Sequence, residues 1–400
     1  MALSQFDPRP MRIVVVTTYP PSGGTLNEYA FHFIRALREK AEVGEVVVLA
    51  DVLPEGDAEL ADDAAPGARP LRIARCWHFD RAGNGARILA AVRRIKPDVV
   101  LFNIGFTSFG GKKIPATLGL LTPALVRAAG FPTVVLLHNI MEAVDLRNAG
   151  FTANPAVAAI VRAVGSAATR AILATDLVAV TLPRYVETLA AKYHTGNLVL
   201  APHGSFVDPA PPQLDPPPGP WRILTFGKFG TYKRVESLIE AYKRLLPDSP
   251  VPMELVIAGA DSPNAAGYLE SVARRYRAVP GVRFTGYVPE EAVPDLFREA
   301  SVVAFPYTST TGSSGVLHQA GSYARAVIMP RLGDLAELLE EEGYGAELFQ
   351  PDDPVSLAAA IARLGDDPAR RREMGLRNLQ AANGLPIAEV VDWDLFHFQA

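Results

Sequence analysis

Two lysines close together in the chain could neutralise an anion. They lie in the segment Gly-Lys-Phe-Gly-Thr-Tyr-Lys, where Gly227 and Lys228 follow an apolar run at 222–226 and Lys233 precedes an amphipathic stretch. This pattern predicts a strand, a turn over 227–230 and a helix, and anions bind at such strand-to-helix turns in doubly wound folds. The two ammonium groups could neutralise a diphosphate there. Solvated charges in an ordinary surface turn are the alternative.

A second segment, rich in glycine and serine, could bring backbone amides to a phosphate. It runs over 306–320, follows a predicted strand at 301–305 and opens a predicted helix. Small residues let main-chain N–H groups approach an anion closely, and the helix dipole adds attraction. The candidate residues are Ser313, Ser314, Gly315 and Val316. Alone, the segment could equally be a plain surface loop; after the lysine turn it predicts a second wall of one pocket.

Two features of the N-terminal half could also serve a site. Gly23 and Gly24 form the turn after a β-branched run at 12–18, and His138 follows the predicted strand at 133–137. An imidazole there could stabilise developing charge or orient a substrate. A tight turn and a structural histidine are the alternatives.

Two other polar features of the C-terminal half are expected to be structural rather than functional. His318 is expected to pack in the helix after the Gly/Ser segment, and Glu340–Glu342 to form a solvated helix end.

The elements that position these residues alternate between strand and helix in both halves of the chain. This rhythm predicts an α/β fold with parallel sheets. Seven prolines within 209–220 indicate a semi-rigid linker. We therefore expect two Rossmann-like domains facing a central cleft. Residues 1–206 form the N-terminal domain, 207–220 the linker and 221–382 the C-terminal domain, and 383–400 cross back to the first domain.

Composition narrows the function classes. The 400 residues carry 39 lysines and arginines against 43 acids, so the net charge of −4 argues against a globally basic nucleic-acid binder. One cysteine and seven scattered histidines give no metal-ligand pattern. The sequence has no signal-peptide pattern and no apolar run long enough to span a membrane, so we expect a cytoplasmic protein.

The two phosphate-binding candidates resemble those of glycosyltransferase family 4, the retaining nucleotide-sugar glycosyltransferases with the GT-B fold. The resemblance covers about 11–382 in layout and is most specific over 226–330, where Gly227, Lys228 and Lys233 match the donor diphosphate motif. Further landmarks are 257–259 and the stretch 282–288, whose Tyr287 and Val288 would lie beside the nucleotide base.

The chain departs from the family at two acidic positions. The family usually has two glutamates separated by seven residues; here Thr311 and Gln319 occupy those positions. By analogy Thr311, with Gly312, would contact the donor sugar, and Gln319 would bond the ribose hydroxyls through its amide. The resemblance also places His138 near the reacting sugar, and Gly23 and Gly24 near the donor phosphate.

The resemblance implies a retaining transferase that moves a hexosyl group from a GDP- or UDP-sugar to an acceptor hydroxyl. His138, Lys228 and Lys233 would be catalytic, and the acceptor would be a sugar, a glycan or a lipid-linked molecule. We expect no cofactor, no nucleic-acid partner and no metal, because lysines can replace the charge of a metal ion. Peripheral contact with the inner face of a membrane stays open, as does the oligomeric state. The alternatives are a nucleotide-sugar 2-epimerase and a non-catalytic nucleotide-sugar-binding protein of the same fold.

Overall fold

The computed structural model describes residues 9–53, 66–143, 155–206, 212–262, 265–309 and 312–398. Contacts divide the chain into two units. The first contains the described residues of 1–143, 155–203 and 387–400, and the second contains those of 204–386. The predicted boundary at 206/207 lies close to this division. Part of the predicted linker, 207–211, is outside the described residues.

One parallel sheet forms the centre of the first unit. Its strands run in the order β3-β2-β1-β4-β5-β6-β7. They are β1 (Met11–Val16), β2 (Val43–Asp51), β3 (Leu71–Trp77), β4 (Val99–Ile104), β5 (Thr133–Leu137), β6 (Leu177–Val180) and β7 (Leu198–Leu200). Residues 13–16 of β1 are an Ile-Val-Val-Val run buried on both faces, as expected for a central strand of a parallel sheet.

Helices flank this sheet. They are α1 (Asn27–Leu37), α2 (Asn84–Ile95), α3 (Lys113–Leu120), α4 (Thr122–Ala128), α5 (Pro155–Ile172) and α6 (Pro183–Tyr193). The apolar residues of α1 recur every three or four positions, so that Tyr29, Phe33 and Leu37 are all buried on one face. This spacing explains why the helix forms where the sequence predicts it.

The second unit repeats the same architecture. Its sheet has the parallel order β10-β9-β8-β11-β12-β13. The strands are β8 (Trp221–Phe229), β9 (Met253–Asp261), β10 (Val282–Gly286), β11 (Val302–Ala304), β12 (Ala326–Pro330) and β13 (Glu347–Phe349). The helices are α7 (Glu236–Leu245), α8 (Tyr268–Arg275), α9 (Val293–Glu299), α10 (Gly315–Ser322), α11 (Gly333–Glu341), α12 (Pro354–Gly365) and α13 (Pro368–Asn383). Short 3-10 helices lie at Met141–Ala143, Leu246–Asp248 and Glu290–Ala292.

The last helix, α14 (Ile387–Phe398), belongs to the first unit and packs against α1. Its apolar side chains Val390, Val391 and Leu395 are buried. Trp393 of α14 donates its indole N–H to the Leu200 carbonyl at 2.8 Å. The C-terminal segment is therefore part of the core of the N-terminal unit.

The α/β fold predicted from the sequence is confirmed, with local differences. The residues Gly227–Phe229 continue β8, whereas the sequence predicted that they begin a turn. Strand β3 was not predicted, since Arg72 and Arg75 interrupt its apolar pattern. The Arg75 guanidinium is satisfied locally, because it donates to the carbonyls of Asp51 at 2.8 Å and Pro20 at 2.7 Å. None of the described helices is both long and apolar enough to cross a lipid bilayer.

Candidate functional site

The two phosphate-binding candidates lie at the point of the second sheet where the strand order reverses. Strand β8 is paired with β9 on one side and with β11 on the other, so chain connections leave β8 and β11 in opposite directions. Ligands of open α/β sheets bind at such switch points, outside the carboxyl ends of the strands. Gly227 and Lys228 lie at the end of β8 and Lys233 follows it, while the Gly/Ser segment (306–320) follows β11.

Backbone hydrogen bonds join these two segments. The Arg234 N–H donates to the Pro306 carbonyl at 3.1 Å, and the Thr308 N–H donates to the Tyr232 carbonyl at 2.8 Å. Lys233 forms an isolated antiparallel bridge with Tyr307. The structure thus brings together the two segments that the sequence marked as walls of one pocket.

The Lys233 ammonium lies over an aromatic ring. Its Nζ is 4.7 Å from the centroid of the Tyr307 ring, within the range of a cation–π interaction. A Cβ placed on Gly227 would be 3.1 Å from the same Nζ, and Gly227 has a φ of 134°, a conformation that favours glycine. Gly227 therefore leaves room for the lysine. Lys228 is half-buried in β8, one residue further along.

A close approach of two strands also requires glycine here. Gly227 pairs with Gly259 of β9, which has a φ of 132°. A Cβ on Gly259 would lie 1.9 Å from the Gly227 carbonyl oxygen. The two glycines let β8 and β9 stay paired up to the lysine turn.

The Gly/Ser segment ends in the N-terminus of α10. Gly315 and Val316 form its first turn, where backbone N–H groups have no partner within the helix. The Ser314 side chain at the N-cap makes no capping hydrogen bond. The helix dipole is positive at this end, so the first turn can bind an anion.

Two buried hydroxyls lie beside this helix end. The Tyr307 hydroxyl lies close to the Lys233 ammonium and to the Ser314 Oγ, although within the described part of the chain neither hydroxyl makes a hydrogen bond of standard geometry. Burial raises the pKa of Tyr307, and the nearby Lys233 counteracts this in part. Together these groups form a polar cluster that could bind a polar ligand.

The predicted sugar and nucleoside contacts lie in the same unit. Gln319 is buried in α10, whereas Tyr287 is 61% exposed and Val288 is half-buried just after β10. Gly312 has a φ of 134°, and Ser313 is half-buried. Thr311 lies outside the described residues. Tyr307 is the residue of this site that sequence reasoning missed, because an aromatic residue before a Gly/Ser segment carries no distinctive signal.

In the first unit, the turn after β1 requires glycine at one position. A Cβ on Gly24 would lie 2.5 Å from the Thr18 Cγ2 atom, while a Cβ on Gly23 would meet nothing within 4 Å. The Gly24 N–H donates to the Ser22 Oγ at 3.2 Å. Gly24 is thus needed for the tight turn, whereas a side chain at position 23 would meet no steric obstacle.

His138 is held by a chain of hydrogen bonds across three neighbouring strands. Its Nε2–H donates to the Asn103 Oδ1 of β4 at 2.6 Å, and the Asn103 Nδ2 donates to the Thr17 Oγ1 after β1 at 3.0 Å. Because Asn103 presents its carbonyl to the ring, the imidazole proton resides on Nε2 and Nδ1 is the acceptor nitrogen. Asn103 was missed from the sequence, where it is one polar residue in an apolar strand.

Two aromatic rings lie against His138. The ring centroids of Tyr29 and His203 are 4.5 Å and 5.9 Å from that of His138. Burial, and His203 to a smaller extent, hold the pKa of His138 well below its usual value, so the ring is neutral at neutral pH. Burial, and then the buried Asp394 of α14, raise the pKa of Tyr29.

Metal-ligating side chains do not cluster in the described ranges. No group of three or more histidine, cysteine or acidic side chains there could hold a metal ion. The two acids of the Asp-Trp-Asp sequence in α14 have different surroundings: Asp392 forms an ion pair with Lys40, and Asp394 is buried.

Comparison with known proteins agrees with this geometry. Residues 220–367 match the family model described as glycosyl transferases group 1. A D-inositol 3-phosphate glycosyltransferase of Kineococcus radiotolerans is 31% identical over 176 residues, which are 40% of this chain and 40% of that protein. A mannosylfructose-phosphate synthase of Agrobacterium fabrum is 23% identical over 43% of each chain. The matched segments thus span less than half of these curated relatives.

Solved structures resemble the whole chain. The sucrose-phosphate synthase of Thermosynechococcus elongatus superposes with a TM-score of 0.73 at 19% identity, covering 96% of this chain and 97% of that one. The Anabaena protein HepE, solved with UDP-glucose, has a TM-score of 0.68 at 15% identity, with 96% and 99% covered. The chain therefore has the GT-B fold, and its residues 220–367 match the family model of group 1 glycosyl transferases.

Proposed function

We propose that the protein transfers a hexosyl group from a nucleoside diphosphate sugar to an acceptor hydroxyl, with retention at the anomeric carbon, as in glycosyltransferase family 4. The observation that carries this proposal is the anion site at the switch point of the second sheet. There Lys233, the N-terminus of α10 and the buried hydroxyls of Tyr307 and Ser314 converge. The ammonium group and the helix N-terminus attract negative charge, and the hydroxyls can donate hydrogen bonds to it.

Such a site stabilises the leaving group of the reaction. Cleavage of the anomeric C–O bond leaves negative charge on the diphosphate, and positive groups already in position lower that barrier. Lys228 and Lys233 supply charge, while the amides of Gly315 and Val316 supply oriented N–H donors. The neighbouring Tyr307 and Ser314 hydroxyls can donate a further hydrogen bond. One preorganised donor of this kind contributes about 3–4 kcal/mol to turnover.

We assign His138 to the reacting sugar and the backbone at Gly23 and Gly24 to the donor phosphate, on the family resemblance. The neutral imidazole supports the first assignment, because its Nδ1 can accept a hydrogen bond from a sugar hydroxyl. A neutral ring also avoids placing a cation in a desolvated pocket.

The donor is a UDP- or GDP-sugar in this proposal. The support for UDP is that the similarly folded HepE was solved with UDP-glucose. Gln319 would hold the ribose, Tyr287 and Val288 the base, and Thr311 and Gly312 the sugar. The curated relatives named above include an inositol phosphate glycosyltransferase, so a polyol or sugar phosphate is a reasonable first acceptor to test beside glycans and lipid-linked acceptors.

We further propose that transfer needs no metal ion and no cofactor, since the lysines and helix dipole supply the positive charge. Cytoplasmic location and peripheral contact at the inner membrane face remain parts of the same proposal. Persistence of turnover in EDTA supports metal independence, and loss of turnover that magnesium restores contradicts it.

A ligand-binding screen tests the central proposal. Ligands that bind the native state raise the melting temperature, so UDP, GDP and ADP, and then the corresponding sugars, are compared by thermal shift. Lys233→Ala should weaken the binding of the stabilising diphosphate at least about tenfold. Lys243→Ala is the matched control, because Lys243 is a surface lysine of α7 paired with Glu240 at 2.9 Å. Equal affinities of the two variants would refute the anion site.

Transfer itself needs a separate measurement. Donor consumption with a panel of acceptors distinguishes a transferase from the alternative of a protein that only binds nucleotide sugar. Binding without transfer or hydrolysis of any donor would favour that alternative.

A further inference from the structure

A buried histidine lies directly behind the anion site. His318, on the first turns of α10, is fully buried, yet both of its ring nitrogens have polar neighbours. Its Nε2 is 3.2 Å from the Ser313 Oγ, and its Nδ1 is 3.0 Å from the Tyr344 hydroxyl. The side chain thus packs, as its apolar surroundings predicted, but it also connects the half-buried Ser313 to the protein interior.

A buried carboxyl adjoins the same imidazole. The Glu342 Oε2 is 3.5 Å from the His318 Nδ1. The sequence indicated that Glu340–Glu342 are a solvated helix end, and this is wrong for Glu342, whose side chain is only 13% exposed. Burial, and then the neighbouring Glu341, raise the pKa of Glu342 to about 8. The carboxyl is therefore mostly protonated at neutral pH.

The direction of these hydrogen bonds depends on the His318 tautomer. Burial, and then Glu342, raise the pKa of Tyr344, so its hydroxyl keeps its proton. When Tyr344 donates to the His318 Nδ1, the imidazole proton is on Nε2 and is donated to the Ser313 Oγ. A serine oxygen that accepts this bond directs its own proton elsewhere. The free direction is the loop beside the α10 N-terminus, where an anion would accept it.

Loss of one proton reverses the chain. Ionised Glu342 would draw the imidazole proton to Nδ1, since a charged acceptor forms the stronger hydrogen bond. The Nε2 atom would then accept from Ser313, whose hydroxyl proton would turn inward. Its oxygen lone pairs would face the anion.

We propose that His318 is a positioning residue that orients the Ser313 hydroxyl toward the donor diphosphate, and that loss of the Glu342 proton switches this orientation by changing the His318 tautomer. The proposal rests on the proposed function, because it assigns a ligand to Ser313. It makes diphosphate affinity depend on pH through Glu342, a buried group that does not itself contact the ligand.

Other titratable or charged side chains lie around the switch. Among the described residues they include Tyr344, Glu341 and, from α13, Arg377. Arg377 is exposed and donates from its Nε to the Gly343 carbonyl at 2.8 Å. Burial, and then Glu342, raise the pKa of Tyr344, so its hydroxyl stays protonated. We therefore assign the proton lost near pH 8 to Glu342.

Calorimetric titration with UDP across pH tests the switch. From about pH 7 to about pH 9.5, UDP affinity of the native protein should fall about tenfold, the loss of one hydrogen bond to a charged group. Glu342→Gln should remove this fall, because its amide cannot ionise. Glu341→Gln is the matched control and should retain the fall but move it to lower pH, because the Glu341 charge contributes to the raised pKa of Glu342. Ser313→Ala should bind weakly at both pH values with little pH dependence beyond that of Glu342→Gln.

A spectroscopic measurement examines the imidazole without any ligand. Nitrogen-15 shifts of the His318 ring, assigned with His318→Asn, should report the Nε2–H tautomer near neutral pH and the Nδ1–H tautomer above about pH 8. Tyr344→Phe, which keeps the ring and removes only the hydroxyl, should increase the Nδ1–H tautomer already at neutral pH. It provides a second perturbation if Glu342→Gln folds poorly.

The outcomes separate this inference from the proposed function. If UDP, GDP and ADP all fail to bind at every pH, the proposed function is wrong and this inference fails with it. If UDP binds but its affinity falls equally in the native protein and in Glu342→Gln, only the switch is refuted. An unchanged His318 tautomer from neutral to alkaline pH also refutes the switch.

Discussion

Replacing the buried Asp394 should stabilise the protein, and the gain should grow with pH. Asp394 is 2% exposed in α14, and its Oδ2 has no hydrogen-bond partner among the described residues. Burial raises the pKa of this carboxyl from 3.8 to about 8. Between these two values the folded protein binds a proton that the unfolded chain releases, so stability falls as pH rises.

The magnitude follows from the two pKa values. Each pH unit within this window costs the folded state about 1.4 kcal/mol. Relative to strongly acidic solution, the loss is roughly 3 kcal/mol at pH 6 and roughly 5 kcal/mol at pH 8. Asp394→Asn keeps the shape of the side chain and cannot ionise. Its free energy of unfolding should therefore exceed that of the native protein by an amount that increases from pH 5 to pH 8.

Urea denaturation at several pH values measures this difference. Any cost of burying the new amide is independent of pH, so the slope of the difference, not its value at one pH, is the test. Asp392→Asn is the matched control, because Asp392 lies on the same helix with a side chain that is 59% exposed. A difference that stays constant across this pH range, or that Asp392→Asn reproduces, would refute the assignment.

Three further predictions concern the site. In urea denaturation, Gly259→Ala should destabilise the second unit by at least about 3 kcal/mol, because the new Cβ would lie 1.9 Å from the Gly227 carbonyl oxygen. Gly23→Ala is the control and should change stability by less than about 1 kcal/mol, because its Cβ would meet nothing within 4 Å. His138→Ala should lower kcat more than it raises the Kd of the nucleotide; an unchanged kcat would leave the histidine a structural role. Asn103→Leu removes the acceptor of the His138 Nε2–H and should cost about 1–3 kcal/mol of stability, measured by the same denaturation, with an unaltered midpoint counting against the hydrogen-bond chain.

The sequence was sufficient for the frame of the fold because that frame depends on local patterns. Apolar β-branched runs produce β1 and β5, and helical spacing produces α1, in both cases without information from distant residues. The turn after β1 could be located for the same reason, whereas the turn after β8 begins later than predicted, because Gly227–Phe229 continue the strand. Strand β3 escaped prediction, since the Arg75 guanidinium in it is satisfied by carbonyls far away in sequence.

Residues that depend on distant contacts could not be predicted from sequence. Tyr307 becomes part of the anion site only because β8 and β11 are neighbours, which brings it against Lys233. Glu342 looks like a surface acid in sequence, and only its packing beside His318 shows that it is buried. Local polarity is a poor guide where a group is buried by elements far away along the chain.

The position of α14 has a consequence for the order of folding during synthesis. Residues 9–203 of the first unit are made before the second unit, yet the buried side chains Val390, Val391 and Leu395 are made after it. Domains usually fold in the order in which they leave the ribosome. Here the first unit lacks part of its core until α14 emerges, so the second unit can complete its core before the first. A chain truncated before Ile387 should leave the N-terminal unit with an uncovered apolar face and a tendency to bind chaperones or aggregate.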